Sequence, residues 1–323
     1  MSQALADRLL ARLAKGDVAE ADESFRKSFP AAELPGTLSA LQSRGYTVTR
    51  EGGLYRLSGT RDLLLSERLE AVLRHRRFGT PRFTYGRLGS TNEVAARLAS
   101  ADAPEGTLVT AEEQTRGRGR QGKSWHSPAG AGIWMSLVLR PKFGADRAVS
   151  IPLLGALAIA EGIRAVSGTS PELKWPNDVY LGGLKLAGVL GESVVDGANV
   201  RFAVLGMGIN VNLPASSLPP ELQETAGSLA MITGKQWDRV DILAAILAGL
   251  EARYDAFAEN GFDAIRMEFL QATRLVGRSV DVLFPHTTLS GTVLDLSPDG
   301  DLLLATEAGS SRVRVGEASL KLR

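Results

Sequence analysis

The sequence has 323 residues, of which 44% are hydrophobic and 23% are charged, and its formal net charge is +1. This composition is typical of a globular protein with two or three domains, and the small net charge excludes a general electrostatic attraction to nucleic acid or membranes. The lack of cysteine excludes disulfides, thiolate catalysis and cysteine-ligated zinc, and the three histidines are not spaced as metal ligands.

Two stretches bear on where the protein works. The N-terminal MSQALADRLL lacks the charged and then apolar layout of a signal peptide. The longest apolar run, SIPLLGALAIAEGIRAV, is interrupted by Glu161 and Arg164, and we expect it to be too short to span a bilayer. These features favour a cytoplasmic protein with no membrane partner.

The first region, residues 1–62, has the pattern of three short helices and a hairpin. Leucines recur at helical spacing from Leu5 to Leu13 and again from Leu34 to Leu41, with DESFRKSF as a short helix between them. GYTVTREGGLYRLSG then predicts two strands joined at a Gly-Gly turn. This order of elements indicates a winged helix-turn-helix.

The second region, residues 66–272, alternates helices with strands. Helical patterns occupy 149–166 and 239–259, and Gly182-Gly183 predicts a tight hairpin. The predicted strands are GTLVTAEE, GIWMSLVLR, ELKWPND, VYL, LKLAGVLGE and RFAVLGMGINVN. Consecutive strands of this kind predict a mixed, largely antiparallel sheet covered by helices, an α+β arrangement.

The third region, residues 275–323, is a run of short strands. RSVDVLF, LSGTVLDLS, DLLLAT and SRVRVG alternate apolar and polar residues and are separated by turn sequences. We expect a small barrel-like β domain here.

The segment GRGRQGKS, which begins at Gly117, matches both a P-loop and a dinucleotide-binding fingerprint. Both motifs need a helix that starts at the end of the loop, and Pro128 with the following AGAG prevents one. The two matches are therefore accidental.

The same loop still has the chemistry of an anion site. Residues 115–125 contain Arg116, Arg118, Arg120 and Lys123 and no acid, and arginine binds phosphate or carboxylate through two parallel hydrogen bonds. Such a loop repels itself when empty, so we expect it to be mobile until an anionic ligand orders it. The alternative is a solvated basic loop without a ligand.

KWPNDVYLGGLKLAGVLGE places a base, an aromatic ring, an amide and an acid at a strand end. Asn177 and Asp178 are suited to bind hydroxyl groups or a metal near phosphates, although Pro-Asn-Asp is also ordinary turn chemistry. Lys185 lies between Leu184 and Leu186 on a strand that is apolar on both faces. It must either extend its ammonium group to solvent or face a buried anion.

Two shorter segments add polar groups. In LGSTNEVAARLA, Ser90 and Glu93 have the spacing of a capping box, and Ser90, Thr91 and Asn92 together suit a neutral ring with polar groups on two sides. In GMGINVN, two glycines precede Asn210 at a strand end, which would permit close approach of a nucleotide base.

The segments GSTN, GRGRQGKSW, KWPNDVYLGGLKLAGVLGE, GMGINVN and the ending GEASLKLR occur in the order found in the biotin protein ligases. From about residue 80 to 323 the chain resembles this family, in its three-domain form. The resemblance implies an N-terminal winged helix, a catalytic domain with a central mixed sheet of the class II synthetase-like type, and a C-terminal SH3-like β-barrel.

The resemblance also implies an activity. Family members use ATP and Mg²⁺ to convert biotin to biotinyl-5'-AMP with release of pyrophosphate, and then transfer biotin to a lysine of a biotin carboxyl carrier protein domain. They commonly form homodimers. Implied catalytic residues are Arg118, Arg120, Lys185 and Asp178. Implied biotin-binding residues are Ser90, Thr91, Asn92, Gln114, Arg118, Gly119, Arg120 and Lys185. Implied nucleotide-binding residues are Trp125, Asn177 and Asn210.

Three assignments are less definite. Arg116 and Lys123 are supporting charges, no residue is assigned as a metal ligand, and Asp178 either assists magnesium or deprotonates the acceptor lysine. The residue types leave that choice open.

The first region departs from the DNA-binding members of the family. In PAAELPGTLSALQSRG, Pro30-Ala31 replaces the usual Ser-Arg, and only Arg44 is cationic. Residues 1–60 contain eight Lys and Arg against seven Asp and Glu, and operator binding depends heavily on phosphate neutralisation. We therefore expect a winged-helix shape with weak DNA affinity. The alternative is backbone docking by Arg26, Lys27, Arg50 and Arg56.

Two other functions compete with this interpretation. One is a lipoate or octanoate ligase, whose catalytic fold is related but which usually lacks the KWPND and KLAG pair. The other is a transcriptional repressor that senses biotinyl-AMP without turnover. The intact loop at 115–125 favours turnover over sensing alone.

Overall fold

Three sheets, one in each predicted region, organise the computed structural model, which describes residues 2–58, 62–284, 286–315 and 319–322. The ending GEASLKLR lies partly outside the described residues, because positions 316–318 and 323 are not among them. The predicted domain boundaries at 62–66 and 272–275 stay predictions.

The N-terminal region has the predicted helices and hairpin. Its elements are α1 (Ser2–Lys15), β1 (Val18–Ala19), α2 (Glu23–Ser28), α3 (Leu34–Ser43), β2 (Val48–Glu51) and β3 (Leu54–Leu57). The short strand β1 pairs with β3 and adds a third strand to the wing. Two residues are too few to show an alternating pattern, so the sequence did not indicate β1.

The central region contains the predicted mixed sheet. Its elements are α4 (Ser66–Leu73), β4 (Arg82–Leu88), α5 (Thr91–Ser100), β5 (Leu108–Gln114), β6 (Gly132–Leu139), α6 (Ala145–Ala148), α7 (Ile151–Ser167), β7 (Glu172–Lys174), β8 (Asp178–Leu181), β9 (Leu184–Asp196), β10 (Asn199–Asn210), α8 (Leu229–Thr233), α9 (Arg239–Asn260) and α10 (Asp263–Thr273). Among the described residues the strand order is β4-β5-β6-β10-β9-β8-β7, with β4 and β5 parallel and the other pairs antiparallel.

One predicted strand is shorter than its pattern. ELKWPND was predicted as a strand, with a turn at Pro-Asn-Asp as the alternative, and the turn is present because β7 ends at Lys174 and β8 begins at Asp178. Pro176 has no N–H to donate to a neighbouring strand, so the intervening residues form a turn instead. That turn places Asn177 and Asp178 at the start of β8.

Helix α7 is the most apolar helix of the core. Counted together with α6, the stretch Ala145–Ser167 is 23 residues long and contains an 18-residue window with a mean hydropathy of 1.6, so this longer stretch, unlike the 17-residue run read from the sequence, is long and apolar enough to span a bilayer by length and composition alone. Most of its apolar window, 67%, is buried inside the protein. It packs against α9, β9 and β10, which makes it a core helix.

The C-terminal region forms an antiparallel sheet in the order β14-β13-β12-β11-β15 among the described residues. Its strands are β11 (Ser279–Leu283), β12 (Thr288–Leu296), β13 (Leu302–Thr306), β14 (Gly309–Val313) and β15 (Ser319–Leu322). The apolar residues of this sheet belong to the same core as the central domain. In addition, the indole N–H of Trp175 donates to the carbonyl of Gly300 at 3.1 Å. The C-terminal domain is therefore fixed against the β7–β8 turn.

The end of α3 is joined to the central sheet by Arg44. Its guanidinium donates to the carbonyl and hydroxyl of Thr84, at 2.8 and 2.6 Å, and to the carboxylate of Asp7 at 2.6 Å. Its own carbonyl accepts a 2.7 Å hydrogen bond from the N–H of Gly86. Because β4 is the edge strand, these bonds satisfy backbone groups that strand pairing leaves free. Arg44, the one cation of the stretch PAAELPGTLSALQSRG, thus joins the N-terminal region to the central sheet.

A buried ion pair fastens the segment after the N-terminal domain to strand β5. Arg239, at the start of α9, is fully buried and donates to the carboxylate of Glu112 at 2.9 Å and to that of Asp62 at 3.1 Å. The second oxygen of Glu112 accepts a 2.7 Å bond from the N–H of Leu64. Burial raises the pKa of Glu112, and the charge of Arg239 opposes that rise. Glu112 lies two residues before the predicted site residue Gln114 on β5.

Candidate active site

All the residues that the sequence resemblance places in a site line one cavity of about 550 Å³. They are Ser90, Thr91, Asn92, Gln114, Arg118, Gly119, Arg120, Trp125, Asn177, Asp178, Lys185 and Asn210. Of the two supporting charges, Lys123 lines the same cavity and Arg116 lines a neighbouring groove.

A network of neutral polar groups occupies the end of the cavity nearest α5. The side-chain oxygen of Gln114 accepts from the N–H and the hydroxyl of Thr91 at 2.9 and 3.0 Å, and its amide donates to Ser127 at 3.0 Å. Ser136 lies within hydrogen-bonding distance of Thr91 and Asn92, at 2.7 and 2.6 Å. Because these groups are buried and mutually bonded, their donors and acceptors are held in fixed directions.

The capping box predicted from Ser90 and Glu93 is wrong. Ser90 is the residue before α5, but its side chain makes no capping hydrogen bond. The side-chain oxygen of Gln114 instead accepts a hydrogen bond from the N–H of Thr91, the first residue of α5. Glu93 forms an ion pair with Arg116 at 3.1 Å. The start of α5 is therefore tied to β5 and to the loop at 115–125.

Glu192 on β9 joins two of the predicted site residues, and sequence reasoning missed it. One of its oxygens accepts from the amide of Asn92 at 2.6 Å and from the guanidinium of Arg118 at 3.1 Å. The only available signal was its place at the end of KWPNDVYLGGLKLAGVLGE. Asn92 and Glu192 are 100 positions apart, so no local pattern relates them.

Acids from outside the loop pair with two of the four cations of residues 115–125. Glu93 pairs with Arg116, and Glu192 with Arg118. Within the loop, the N–H of Gly119 donates to the carbonyl of Lys123 at 2.7 Å. A Cβ at Gly119 would make only ordinary contacts of 3.4 Å or more, so a requirement for glycine there would have to come from the ligand.

The two glycines of GMGINVN make room for side chains of this chain. A Cβ at Gly206 would lie 2.1 Å from the side-chain oxygen of Asn92, and one at Gly208 would lie 2.4 Å from the indole nitrogen of Trp125. Without a ligand, the space next to both glycines is occupied by these side chains, and the approach of a nucleotide base there stays a prediction. Glycine at both positions lets Asn92 and Trp125 lie directly on β10.

Two buried polar atoms in the cavity lack a hydrogen-bond partner among the described residues. They are the indole nitrogen of Trp125 and the side-chain oxygen of Asn210, whose amide donates to Gly227 at 2.9 Å. A buried polar atom without a partner costs about 1–3 kcal/mol. A ligand that accepts from Trp125 or donates to Asn210 would recover this free energy.

Charged groups gather where β8 and β9 meet. The ammonium group of Lys185 lies 2.7 Å from the carboxylate of Asp178 and 5.4 Å from the centre of the Trp125 ring. Arg120 donates to the side-chain oxygen of Asn177 at 2.9 Å. Burial lowers the pKa of Arg120, and the charge of Asp178 partly offsets this. Desolvated cations of this kind bind an anionic ligand strongly.

Several other lining residues have no role assigned from the sequence. Lys174 and Tyr180 extend the charged end, and Lys321 reaches the cavity from the C-terminal sheet. An apolar part of the wall comes from Leu213, Leu218, Leu222 and Ala226. Leucines that follow β10 in an irregular segment have no periodicity to mark them.

A resident metal centre is not evident. The described residues contain no group of three or more His, Asp or Glu side chains placed to hold a metal ion. Asp178 is the one acid among the described lining residues. Magnesium typically binds one or two carboxylates together with substrate phosphates, so Asp178 fits an ion that arrives with a nucleotide.

Comparison with known proteins agrees with this geometry. Residues 85–210 match the family described as "Biotin/lipoate A/B protein ligase family". The "Bifunctional ligase/repressor BirA" of Bacillus subtilis is 34% identical over 286 residues, which cover 88% of this chain and 87% of that protein. A match of that length includes part of the N-terminal domain.

Two further matches cover about three quarters of this chain each. The "Biotin--[acetyl-CoA-carboxylase] ligase" of Paracoccus denitrificans is 32% identical over 243 residues, which cover 72% of this chain and 97% of that protein. The structure of "Biotin protein ligase from Aquifex aeolicus in complex with biotin and ATP" superposes with a TM-score of 0.67 at 32% identity, covering 76% of this chain and 100% of that one. The chain therefore belongs to the biotin protein ligase family.

Proposed function

We propose that this protein is an ATP-dependent biotin protein ligase. It joins biotin to AMP, releases pyrophosphate, and transfers biotin to a lysine of a biotin carboxyl carrier protein domain. The observation that carries the proposal is one cavity with a fixed neutral polar network at one end and desolvated cations at the other. The named relatives and the solved structure with biotin and ATP support it.

The polar end suits the ureido ring of biotin. Gln114, Thr91 and Asn92 present donors and acceptors in fixed directions, and a cyclic urea offers both. The dithiolane ring of lipoate offers neither, and a site built around hydrogen bonds discriminates strongly against such a ligand. We therefore favour biotin over lipoate within the matched family.

The charged end suits the first chemical step. A carboxylate oxygen of biotin attacks the α-phosphorus of ATP, and the bond from that phosphorus to the pyrophosphate oxygen breaks. Arg120 and Lys185 reduce the repulsion between the two anions and stabilise the charge that develops on phosphate. Asp178 is the carboxylate that would hold a magnesium ion bound with ATP, and such an ion would add to the charge neutralisation by Arg120 and Lys185. Trp125, Asn177 and Asn210 are assigned to the nucleotide.

The roles of Arg118 and Asp178 need a rearrangement of the described pairs. To contact the adduct, Arg118 must break its ion pair with Glu192 or bind the adduct and Glu192 at the same time. To bind magnesium or deprotonate the acceptor lysine, Asp178 must break its ion pair with Lys185. Gly119 and the rest of the loop would then cover the reactive anhydride and exclude water.

We propose only weak DNA binding for the N-terminal domain, although the Bacillus subtilis relative is named a repressor. The exposed positions of α3 are Pro35, Gly36, Ser39, Gln42 and Ser43, and none carries a charge. Several arginines of this domain pair with its own acids, as Arg12 does with Asp22 and Arg50 with Glu20. By resemblance we also assign a homodimer and a cytoplasmic location.

The test is ATP–pyrophosphate exchange measured side by side with biotin and with lipoate, followed by transfer to a purified carrier domain. We expect exchange that depends on biotin and modification of a single carrier lysine. Exchange that depends on lipoate, or none with either acid, would overturn the proposal.

A further inference from the structure

Lys174 has no role in the function proposed so far. It is the last residue of β7 and lies directly opposite Asp178 of β8 in the antiparallel register. Directly opposite residues project from the same face of a sheet. The side chain of Lys174 lines the cavity, is half-buried, and carries its ammonium group 5.3 Å from the centre of the Tyr180 ring.

The charges around Lys174 do not balance. Burial lowers its pKa, Asp178 raises it, and the neighbouring ammonium groups of Lys185 and Lys123 lower it further. The carboxylate of Asp178 is already 2.7 Å from Lys185, and Lys174 forms no ion pair with a carboxylate of the described residues. Three ammonium groups therefore share one carboxylate at this end of the cavity, which is an arrangement suited to a polyanion.

The position of Lys174 in the sheet indicates which part of a bound nucleotide it would contact. The neutral polar network lies against β6 and β10, where Ser136 and Gly206 contact Asn92. Strand β7 is three strands farther along the sheet than β10, a distance of about 14 Å. Lys185 and Asp178 lie between them on β9 and β8. A phosphate chain that begins near Lys185 and runs away from the polar network thus ends at Lys174.

We propose that Lys174, held over the ring of Tyr180, binds the β- and γ-phosphates of ATP and neutralises the pyrophosphate as it leaves. The inference rests on the proposed ligase function. In the step concerned, the carboxylate–phosphorus bond forms as the bond to the pyrophosphate oxygen breaks, and the electron pair remains on pyrophosphate. No proton moves, so the increase in negative charge must be met by cations.

The experiment compares Lys174→Met and Lys174→Arg with Lys235→Met. Lys235 is an exposed lysine with a similar ring contact, 3.8 Å from the centre of the Trp237 ring, outside the cavity. The measurements are the KM for ATP in adduct formation, the inhibition constant of pyrophosphate, and single-turnover transfer from preformed biotinyl-AMP to a carrier domain. Thermal unfolding checks that each variant is folded.

For Lys174→Met we expect the KM for ATP and the inhibition constant of pyrophosphate to rise roughly 10- to 100-fold, as for loss of a hydrogen bond to a charged group. Transfer from preformed adduct should keep the wild-type rate, because pyrophosphate has left by then. Lys174→Arg should recover part of the loss, and Lys235→Met should match the wild type. An unchanged inhibition constant, or an equal loss in the transfer step, would overturn the inference.

Calorimetric titration with pyrophosphate separates this inference from the proposed function. If the wild type shows no exchange dependent on biotin but binds pyrophosphate through Lys174, the ligase function fails and the phosphate site stands. If the wild type is an active ligase and Lys174→Met binds pyrophosphate as tightly as the wild type, the phosphate site fails and the ligase function stands.

Discussion

The ammonium group of Lys185 lies 2.7 Å from the carboxylate of Asp178, across the β8–β9 hairpin. The sequence offered two alternatives for this lysine, extension to solvent or contact with a buried anion. Both alternatives apply in part. The ammonium group of Lys185 contacts an anion, Asp178, but the two side chains are 30% and 22% exposed, and both line the cavity. An incoming phosphate or carboxylate must therefore compete with Asp178 for the same ammonium group.

Replacing Lys185 should slow the formation of biotinyl-AMP and leave the fold intact. Lys185→Met is expected to lower the rate of biotinyl-AMP formation roughly 10²- to 10³-fold, the usual effect of losing one preorganised charge donor. The partly exposed Asp178 can be solvated in the variant, so thermal unfolding should change little. Pyrophosphate exchange measures the rate, and Lys185→Arg serves as the variant that keeps the charge. A loss smaller than about tenfold would show that Lys185 is not at the reacting phosphate.

The loop at 115–125 should become ordered when the adduct binds. Its arginines contact Glu93 and Glu192 through exposed pairs, and such pairs contribute only about 0–1 kcal/mol. Biotinyl-AMP would add partners for Arg118 and Arg120 in a place shielded from water. Hydrogen exchange should therefore slow in this loop on adduct binding, while peptides from α9 should serve as an unchanged reference. Equal exchange in both states would contradict the closing role.

Trp125→Phe should weaken ATP binding without destabilising the free protein. The indole N–H of Trp125 has no partner among the described residues, so its removal loses no hydrogen bond before ligand binds. The KM for ATP should rise roughly 3- to 10-fold, the worth of one neutral hydrogen bond.

Trp134→Phe is the matched control for that substitution. The buried N–H of Trp134 donates to the carbonyls of Glu112 and Pro128 at 3.1 and 3.2 Å. Its loss should lower the free energy of unfolding by about 1–3 kcal/mol, because the two acceptors lose a buried partner. A Trp125→Phe protein that is less stable without ligand and binds ATP normally would refute the assignment.

Arg239→Met should destabilise the protein in a way that depends on pH. It leaves the buried carboxylate of Glu112 without its cation, at a cost of about 3–5 kcal/mol near neutral pH. Burial raises the pKa of Glu112 in the folded protein, and losing Arg239 removes the opposing charge and raises it further. The stability contributed by such a group is present below its unfolded pKa of about 4.3 and is lost as pH rises through the folded value.

The difference in stability between wild type and Arg239→Met should therefore be smaller at pH 5 than at pH 8 when measured by denaturant unfolding. Arg50→Met removes an exposed pair with Glu20 and should change stability by less than about 1 kcal/mol at either pH. If the difference in stability between wild type and Arg239→Met is the same at both pH values, ionisation of Glu112 is not the cause of the destabilisation.

DNA binding by the N-terminal domain should be weak. Arg44, the cation at the end of α3, is engaged by Thr84 and Asp7, and the exposed positions of α3 are uncharged. In a titration with the upstream region of the source organism's biotin genes, we expect a Kd of about 10⁻⁶ M or weaker, as for non-specific binding. Nanomolar, sequence-specific binding that weakens with salt would show instead that the domain is a repressor module.

Much of the fold follows from short-range pattern. Leucines at helical spacing predicted α1 and α3, the Gly182-Gly183 turn predicted the β8–β9 hairpin, and alternation predicted the C-terminal strands. The cationic loop at 115–125 and the KWPND turn were also visible, because their chemistry is contained in a few consecutive residues. The hydrophobic pattern and turn residues act over the same short range in which they are read.

The sequence alone therefore determined the three longest helices, most of the strands and the position of the cationic loop, but neither β1 nor the edge strand β4. Only the tertiary structure decided what those segments contact. Glu192 accepts hydrogen bonds from Asn92 and Arg118. Arg44 donates to Thr84, and Arg239 donates to Glu112. These partners are 40 to 127 positions apart in the chain. A side chain's partner is set by sheet order, strand register and domain packing, and these arise from the sum of many weak contacts. No local periodicity encodes that sum, so the partners could be found only in the folded chain.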